Sequence, residues 1–161
     1  MDGDLRELLR GIEVFAGELP HFDPAGAPAT PRELFTEWLR GALAAGVREP
    51  HAATLSTAGA DGDPQARVLI LKAVTADGWQ FATDGGSVKA RDLAERAYAA
   101  LTFYWAPLAR QIRLRGPVVR ASAEASAADF LARGAQARAE ALVGRQSRPL
   151  PGGAAERDAA V

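Results

Sequence analysis

HAATLSTAGADGDPQARVLILKAVTADGWQFAT, residues 51–83, decides how this chain folds. Three runs rich in β-branched and apolar residues, 51–57, 65–74 and 79–83, are separated by AGADGDP and TADG. Those separators carry the Gly, Asp and Pro that tight turns use. A tight turn leaves no length for a crossover helix, so successive strands of this kind pair antiparallel. Towards the C-terminus, SVKARDLAERA (87–97) reads as a helix with Val88, Leu93 and Ala97 as its apolar positions. YAALTFYWA (98–106) is a fourth strand, APLAR a turn, and RQIRLRGPVVRAS (110–122) a fifth. Alternation in the last puts Ile112, Leu114 and Val118 on one face and arginines on the other. Residues 123–144 read as helical and alanine-rich.

Towards the N-terminus, a helix is well marked before the first strand. Thr30 caps it, Pro31 suits its first position and Glu33 completes a capping box. Leu34, Phe35, Trp38, Leu39, Ala42 and Leu43 then recur at helical spacing until Gly46. GELPHFDPAGAPAT (17–30) reads as an extended arm, and residues 2–11 as a short helix with Leu5, Leu8 and Leu9 on one face. The expected architecture is mainly β with flanking helices, five strands being enough for a small closed or split barrel. Residues 1–30 are expected to be an N-terminal helix and arm, 31–147 the barrel domain, and 148–161 a flexible tail.

Composition narrows the chemistry. The 161 residues suit one core, with 48% hydrophobic and 24% charged residues. A net charge of −1 argues against recruitment of nucleic acid or acidic membranes. The absence of cysteine removes thiolate nucleophiles, disulfides and thiolate metal sites. Two histidines, His21 and His51, are too few for a metal cluster and leave little room for a triad. No long apolar span or leader pattern is present, which gives a cytoplasmic expectation.

FATDGGSVKARDL (81–93) is the stretch most suggestive of ligand chemistry. It matches neither the GxxxxGK[ST] nor the GxGxxG phosphate loop. Ser87 as a helix cap is ordinary. Lys89 in the first helical turn is not, because a cation there opposes the helix dipole and an anion would reverse that penalty. On these residues alone the cap and the phosphate cradle both stand, the cap slightly ahead. RVLILK (67–72) likewise has two accounts. It is a buried strand with Arg67 and Lys72 reaching the rims, or a backbone lying along a flat ligand. Six residues at strand rise span roughly 17–20 Å, too far for both cations to grip one phosphate. RQIRLRG (110–116) lacks the wider basic clustering of a nucleic-acid binder. Phe103, Tyr104 and Trp105 read as core, and Asp61 and Asp63 as turn formers.

Taken in order, RVLILK, FATDGGSVKARDL, LTFYWAPLARQIRLRGPV and FLARGAQARAEALVGRQS resemble the pyridoxamine 5′-phosphate oxidase family of FMN-dependent split-barrel enzymes. The resemblance runs from about Pro50 to Ser147. It implies a homodimer with FMN at the subunit interface, a small-molecule substrate, and O2 as the final electron acceptor. It implies that Arg67, Val68, Leu69, Ile70, Leu71 and Lys72 line the flavin, that Ala82 and Thr83 touch it, and that Ser87 and Lys89 belong to its phosphate end. Gln111, Gln146 and Ser147 match further flavin contacts. Lys72 and Arg133 match substrate contacts, Arg133 at the substrate phosphate. No catalytic acid or base of unusual type is implied, since the flavin carries the redox step.

Departures from the family pattern shape the expected substrate. Position 88, usually arginine beside the lysine, is Val88. Losing that charge-assisted contact weakens phosphate binding by about 1.5–3 kcal/mol unless compensated. The family tyrosine and serine at the substrate phosphate are here Asp129 and Ala137. Family members also continue for several dozen residues, with a tryptophan, an arginine and an arginine–histidine pair completing the sites, whereas this sequence stops at Val161. The expectation is an FMN-dependent oxidase acting on a small cyclic substrate other than pyridoxamine phosphate, as relatives in phenazine biosynthesis do. The alternatives are a genuine pyridoxamine/pyridoxine 5′-phosphate oxidase of pyridoxal phosphate biosynthesis and a non-catalytic flavin-binding dimer.

Overall fold

A computed structural model describes residues 2–143. Five strands form one sheet: β1 (Ala52–Ala58), β2 (Pro64–Thr75), β3 (Gly78–Phe81), β4 (Tyr98–Trp105) and β5 (Arg110–Pro117). Their order is β3-β2-β1-β4-β5. β1 with β2, β1 with β4 and β2 with β3 pair antiparallel, the first and last across tight turns that require it. Gly62 and Gly78, with φ of 84° and 132°, take the two turns of the opening stretch through conformations that side-chain-bearing residues avoid. The helices are α1 (Asp2–Arg10), α2 (Pro31–Ala44), α3 (Val88–Glu95), α4 (Ala123–Leu131) and α5 (Ala135–Val143). By contacts the chain divides into two compact units, Met1–His51 with Phe103–Ile112, and Ala52–Thr102 with Arg113–Val161.

In the first unit, α2 starts as its sequence predicts. Thr30 Oγ1 accepts from the Glu33 N–H at 3.2 Å, and the Glu33 carboxylate accepts from the Thr30 N–H at 3.2 Å. Phe35 and Ala42 are its buried residues. The Phe35 ring meets Phe103 edge-on at 5.0 Å and Trp105 at 6.3 Å. Trp105 is buried and donates its indole N–H to the Pro50 carbonyl at 3.0 Å. Tyr104 departs from the expected core assignment: strand alternation turns it to the other face, where it is 62% exposed. The 17–30 arm holds one short 3₁₀ turn, Pro24–Gly26, capped by Asp23. Its residues His21, Phe22 and Asp23 wall a cavity of about 400 Å³ with Glu37, Trp38 and Arg110.

In the second unit, β1 buries every other residue, Ala53, Leu55 and Thr57. Register places Leu55 opposite Arg67 and Ala53 opposite Leu69, so Arg67, Leu69 and Leu71 of β2 share that inner face. RVLILK is therefore not a wholly buried run. Val68 and Ile70 point the other way and are 68% and 37% exposed. The expected helix over 123–144 is two helices. Above Arg133 and Gly134, the guanidinium of Arg138 donates to the Leu131 and Arg133 carbonyls at 3.2 and 3.1 Å. That satisfies acceptors the end of α4 leaves open, so the break is stable. Strand β3 also ends at Phe81, two residues short of the expected Thr83.

Candidate functional site

The stretch after β3 is a turn built by its own side chains. Asp84 accepts from the Gly86 N–H at 2.8 Å, and Ser87 donates its hydroxyl to the Asp84 carbonyl at 2.7 Å. Ser87 Oγ in turn accepts from the Ala90 N–H at 3.4 Å, capping α3, and lies 3.3 Å from Thr83 Oγ1. Ser87 is completely buried, so it acts as the internal support of the turn. Gly85 does not adopt a left-handed φ, and a Cβ added there meets nothing within 4 Å. Turn geometry does not demand glycine at this position, and the missing side chain leaves open space.

Lys89 follows in the first turn of α3. Burial pushes its ammonium below the ordinary lysine pKa, the positive charge of Arg67 pushes it further, and Asp84 opposes both. Arg67 is thus near enough to act on Lys89, which itself sits in a first helical turn whose dipole disfavours a cation. This pairing is not visible in the sequence, where Lys72 is the neighbouring candidate for Arg67. Lys72 instead is exposed on the opposite face of β2, at a register shift where Leu71 pairs Phe81 and Ala73 pairs Gln80. Period-two alternation from Arg67 already gives Lys72 that face.

Arg67 is held from behind. Its Nη1 donates to Thr57 Oγ1 at 2.6 Å, its Nη2 to Gln65 Oε1 at 3.2 Å, and Nη2 lies 3.9 Å from Asp92 Oδ2. Thr57 donates to Asp92 Oδ2 at 2.7 Å. Asp92, the buried residue of α3, and buried Thr57 were not candidates in the sequence. The one available signal was the Ala53, Leu55, Thr57 alternation, which puts a hydroxyl where an apolar residue belongs. Conversely Ala97, expected as an apolar helix position, is exposed.

The remaining candidates are dispersed. Ala82 and Thr83 are half-buried beside the turn. Gln111 is exposed on β5 and belongs to the first unit. Arg133 is ion-paired, its Nη2 and Nε donating to Asp129 Oδ2 at 2.6 and 3.3 Å, with its guanidinium 5.8 Å from the Phe130 ring. Gln146 and Ser147 lie outside the described residues. None of the predicted site residues lines the 400 Å³ cavity of the first unit. Among the described residues, no helix is long and apolar enough to cross a membrane.

The sequence profile described as pyridoxamine 5′-phosphate oxidase matches residues 39–160. The chain belongs to this family. A curated pyridoxine/pyridoxamine 5′-phosphate oxidase from Bordetella petrii is 44% identical over 124 residues, which are 77% of this chain and 59% of that protein. The chain thus spans less than two thirds of the length of such relatives. The solved structure of PhzG from Burkholderia lata 383, in complex with tetrahydrophenazine-1-carboxylic acid, superposes with a TM-score of 0.83 at 30% identity. It covers 89% of this chain, which covers 72% of it. A pyridoxamine 5′-phosphate oxidase-related, FMN-binding protein from Nostoc punctiforme shares the fold, with a TM-score of 0.59 at 20% identity over 74% of this chain and 70% of that one. The five-stranded antiparallel sheet with flanking helices is the split β-barrel of this family, of which Val88, Asp129 and Ala137 make this chain a divergent member.

Proposed function

We propose that this chain is an FMN-dependent oxidoreductase, and that the convergence of Arg67 and Lys89 at the N-terminus of α3 is its flavin-phosphate site. The observation that carries the reading is geometric: Arg67 is held by Thr57, Gln65 and Asp92 against α3, the helix whose first turn bears Lys89. A phosphate dianion is the ligand that two cations beside a helix N-terminus favour. Arg67 thereby substitutes for the charge that Val88 does not supply. The open space over Gly85 lets backbone approach the anion. Thr83, Ser87 and Asp84 hold the turn in shape. Gln111, Gln146 and Ser147 remain flavin contacts on the family resemblance, as do Ala82 and the backbone from Arg67 to Lys72.

When bound, FMN would supply hydride acceptance from a small cyclic substrate, with O2 taking up the electrons afterwards. The protein's own part is to anchor, orient and shield. Lys72, on the face of β2 opposite Arg67, takes no part in the phosphate task and is left for substrate. The outward Val68 and Ile70 are large apolar groups, which supports a partner subunit covering them in a homodimer.

The substrate proposed is one without a phosphate. Arg133, the residue that would grip it, already has a carboxylate at 2.6 Å from Asp129, and an entering phosphate would meet that negative charge. The PhzG likeness supports a carboxylated tricyclic substrate. The second reading, a genuine pyridoxine/pyridoxamine 5′-phosphate oxidase, is favoured by the 44% identity to such enzymes. Turnover separates the two. FMN-loaded protein should oxidise pyridoxamine phosphate poorly or not at all, and conversion at ordinary enzymatic rates would overturn the phosphate-free substrate.

A further inference from the structure

We infer that Asp92 is a positioning residue for Arg67, acting through the hydroxyl of Thr57 to fix the guanidinium for the flavin phosphate; this rests on the flavin reading above. The hydrogen-bond directions are dictated by chemistry. Arginine only donates, so Thr57 Oγ1 must accept from Arg67 Nη1 at 2.6 Å. The single Thr57 proton is then left for Asp92 Oδ2 at 2.7 Å, which must be an acceptor. Arg67 Nη2 lies 3.9 Å from the same carboxylate oxygen. Asp92 is 6% exposed and Thr57 4%, so water does not compete for either group.

The surroundings hold Asp92 in place. A Cβ at Gly59 would come within 3.5 Å of Asp92 Oδ1 and 3.3 Å of Glu95 Oε2 and Asp61 Oδ1. Gly59 does not have a left-handed φ, so glycine there serves close approach of the strand end to α3. Glu95 Oε2 accepts from the Ala60 N–H at 2.9 Å, tying the same helix to the same turn. A long arginine side chain carries several rotatable bonds whose freedom binding would otherwise remove. Ordering it beforehand, on a helix that also bears Lys89, places two cations before the ligand arrives. Aspartate is the group suited to this, since its charge holds the guanidinium while its burial keeps it from the phosphate.

The sign of one substitution decides between positioning and plain repulsion. FMN and riboflavin, which lacks the phosphate, are titrated into the full-length apo chain and its Asp92→Asn variant, with flavin fluorescence as the readout. Positioning predicts that D92N weakens FMN binding on the order of tenfold and leaves riboflavin affinity unchanged. If Asp92 were only a neighbouring negative charge, its removal would tighten FMN binding, and that result overturns the inference. Equal losses for FMN and riboflavin would also overturn it, because they mark a general disturbance of the fold. Thr57→Val removes the relay while keeping the charge and should reproduce the FMN-selective loss; unchanged FMN affinity in a folded T57V overturns the relay. Failure of the wild-type chain to bind FMN would overturn the flavin reading and this inference with it, a result distinct from wild-type binding that D92N leaves intact.

Discussion

Lys89 stands where a helix dipole, partial burial and Arg67 all disfavour an ammonium, while Asp84 favours it. Its role is testable by removal: Lys89→Ala should weaken FMN binding by at least about tenfold, the scale of one lost charge-assisted contact, and leave riboflavin affinity little changed. Fluorescence titration measures both. The same residue sets a pH dependence. Because its pKa in the unliganded chain is lowered from 10.5, the cation disappears as pH rises through a value below 10.5. A bound phosphate favours the charged form and raises that pKa, so affinity falls with rising pH between the two values. FMN titrations from pH 7 upwards should show this decline beginning below 10.5, and K89A should lack it. Lys89 was legible in the sequence because a basic residue in a first helical turn breaks a local rule. Its partner was not: Arg67 is 22 residues away, and only strand register reveals which face it takes. Asp92 and Thr57 were hidden for the same reason, since an aspartate in a helix and a threonine in a strand look ordinary until the two elements meet.

Local chemistry made most elements readable. Thr30, Pro31 and Glu33 specify the start of α2 through contacts at most three residues apart, and the structure has both reciprocal bonds. Thr30→Ala should cost about 1 kcal/mol, read as a lowered urea midpoint without a change in slope. The stretch from 51 to 83 gave its strands and turns directly, because period-two alternation and Gly62 and Gly78 act within a few residues. The division of residues 123–144 escaped, since alanine favours helix at nearly every position and the break is secured by Arg138 reaching back to carbonyls of Leu131 and Arg133. The bulge at Lys72 was equally opaque. It depends on how Leu71 and Ala73 meet Phe81 and Gln80 across the sheet. The facing of Lys72 did not depend on it, since alternation alone sets position 72 across the strand from Arg67.

At the scale of the molecule, the family and its split-barrel class followed from the order of four sequence blocks, while the strand order β3-β2-β1-β4-β5 needed the structure. The proposed function asks little catalytic machinery of the chain itself: it would hold a flavin phosphate, present a ring to substrate and choose that substrate by charge. In the proposed function Arg67 and Lys89 take the first task, and the Asp129–Arg133 ion pair bears on the last. If the outward apolar face of β2 is covered by a second copy, sedimentation should give a dimer, and Val68→Glu should shift it towards monomer and reduce flavin retention together. The most direct test of the whole account is the absorption spectrum and mass of the small molecule retained by the purified chain after incubation with excess FMN and gel filtration. The account predicts a yellow protein carrying near-stoichiometric FMN. A folded chain that emerges colourless and free of flavin would contradict it.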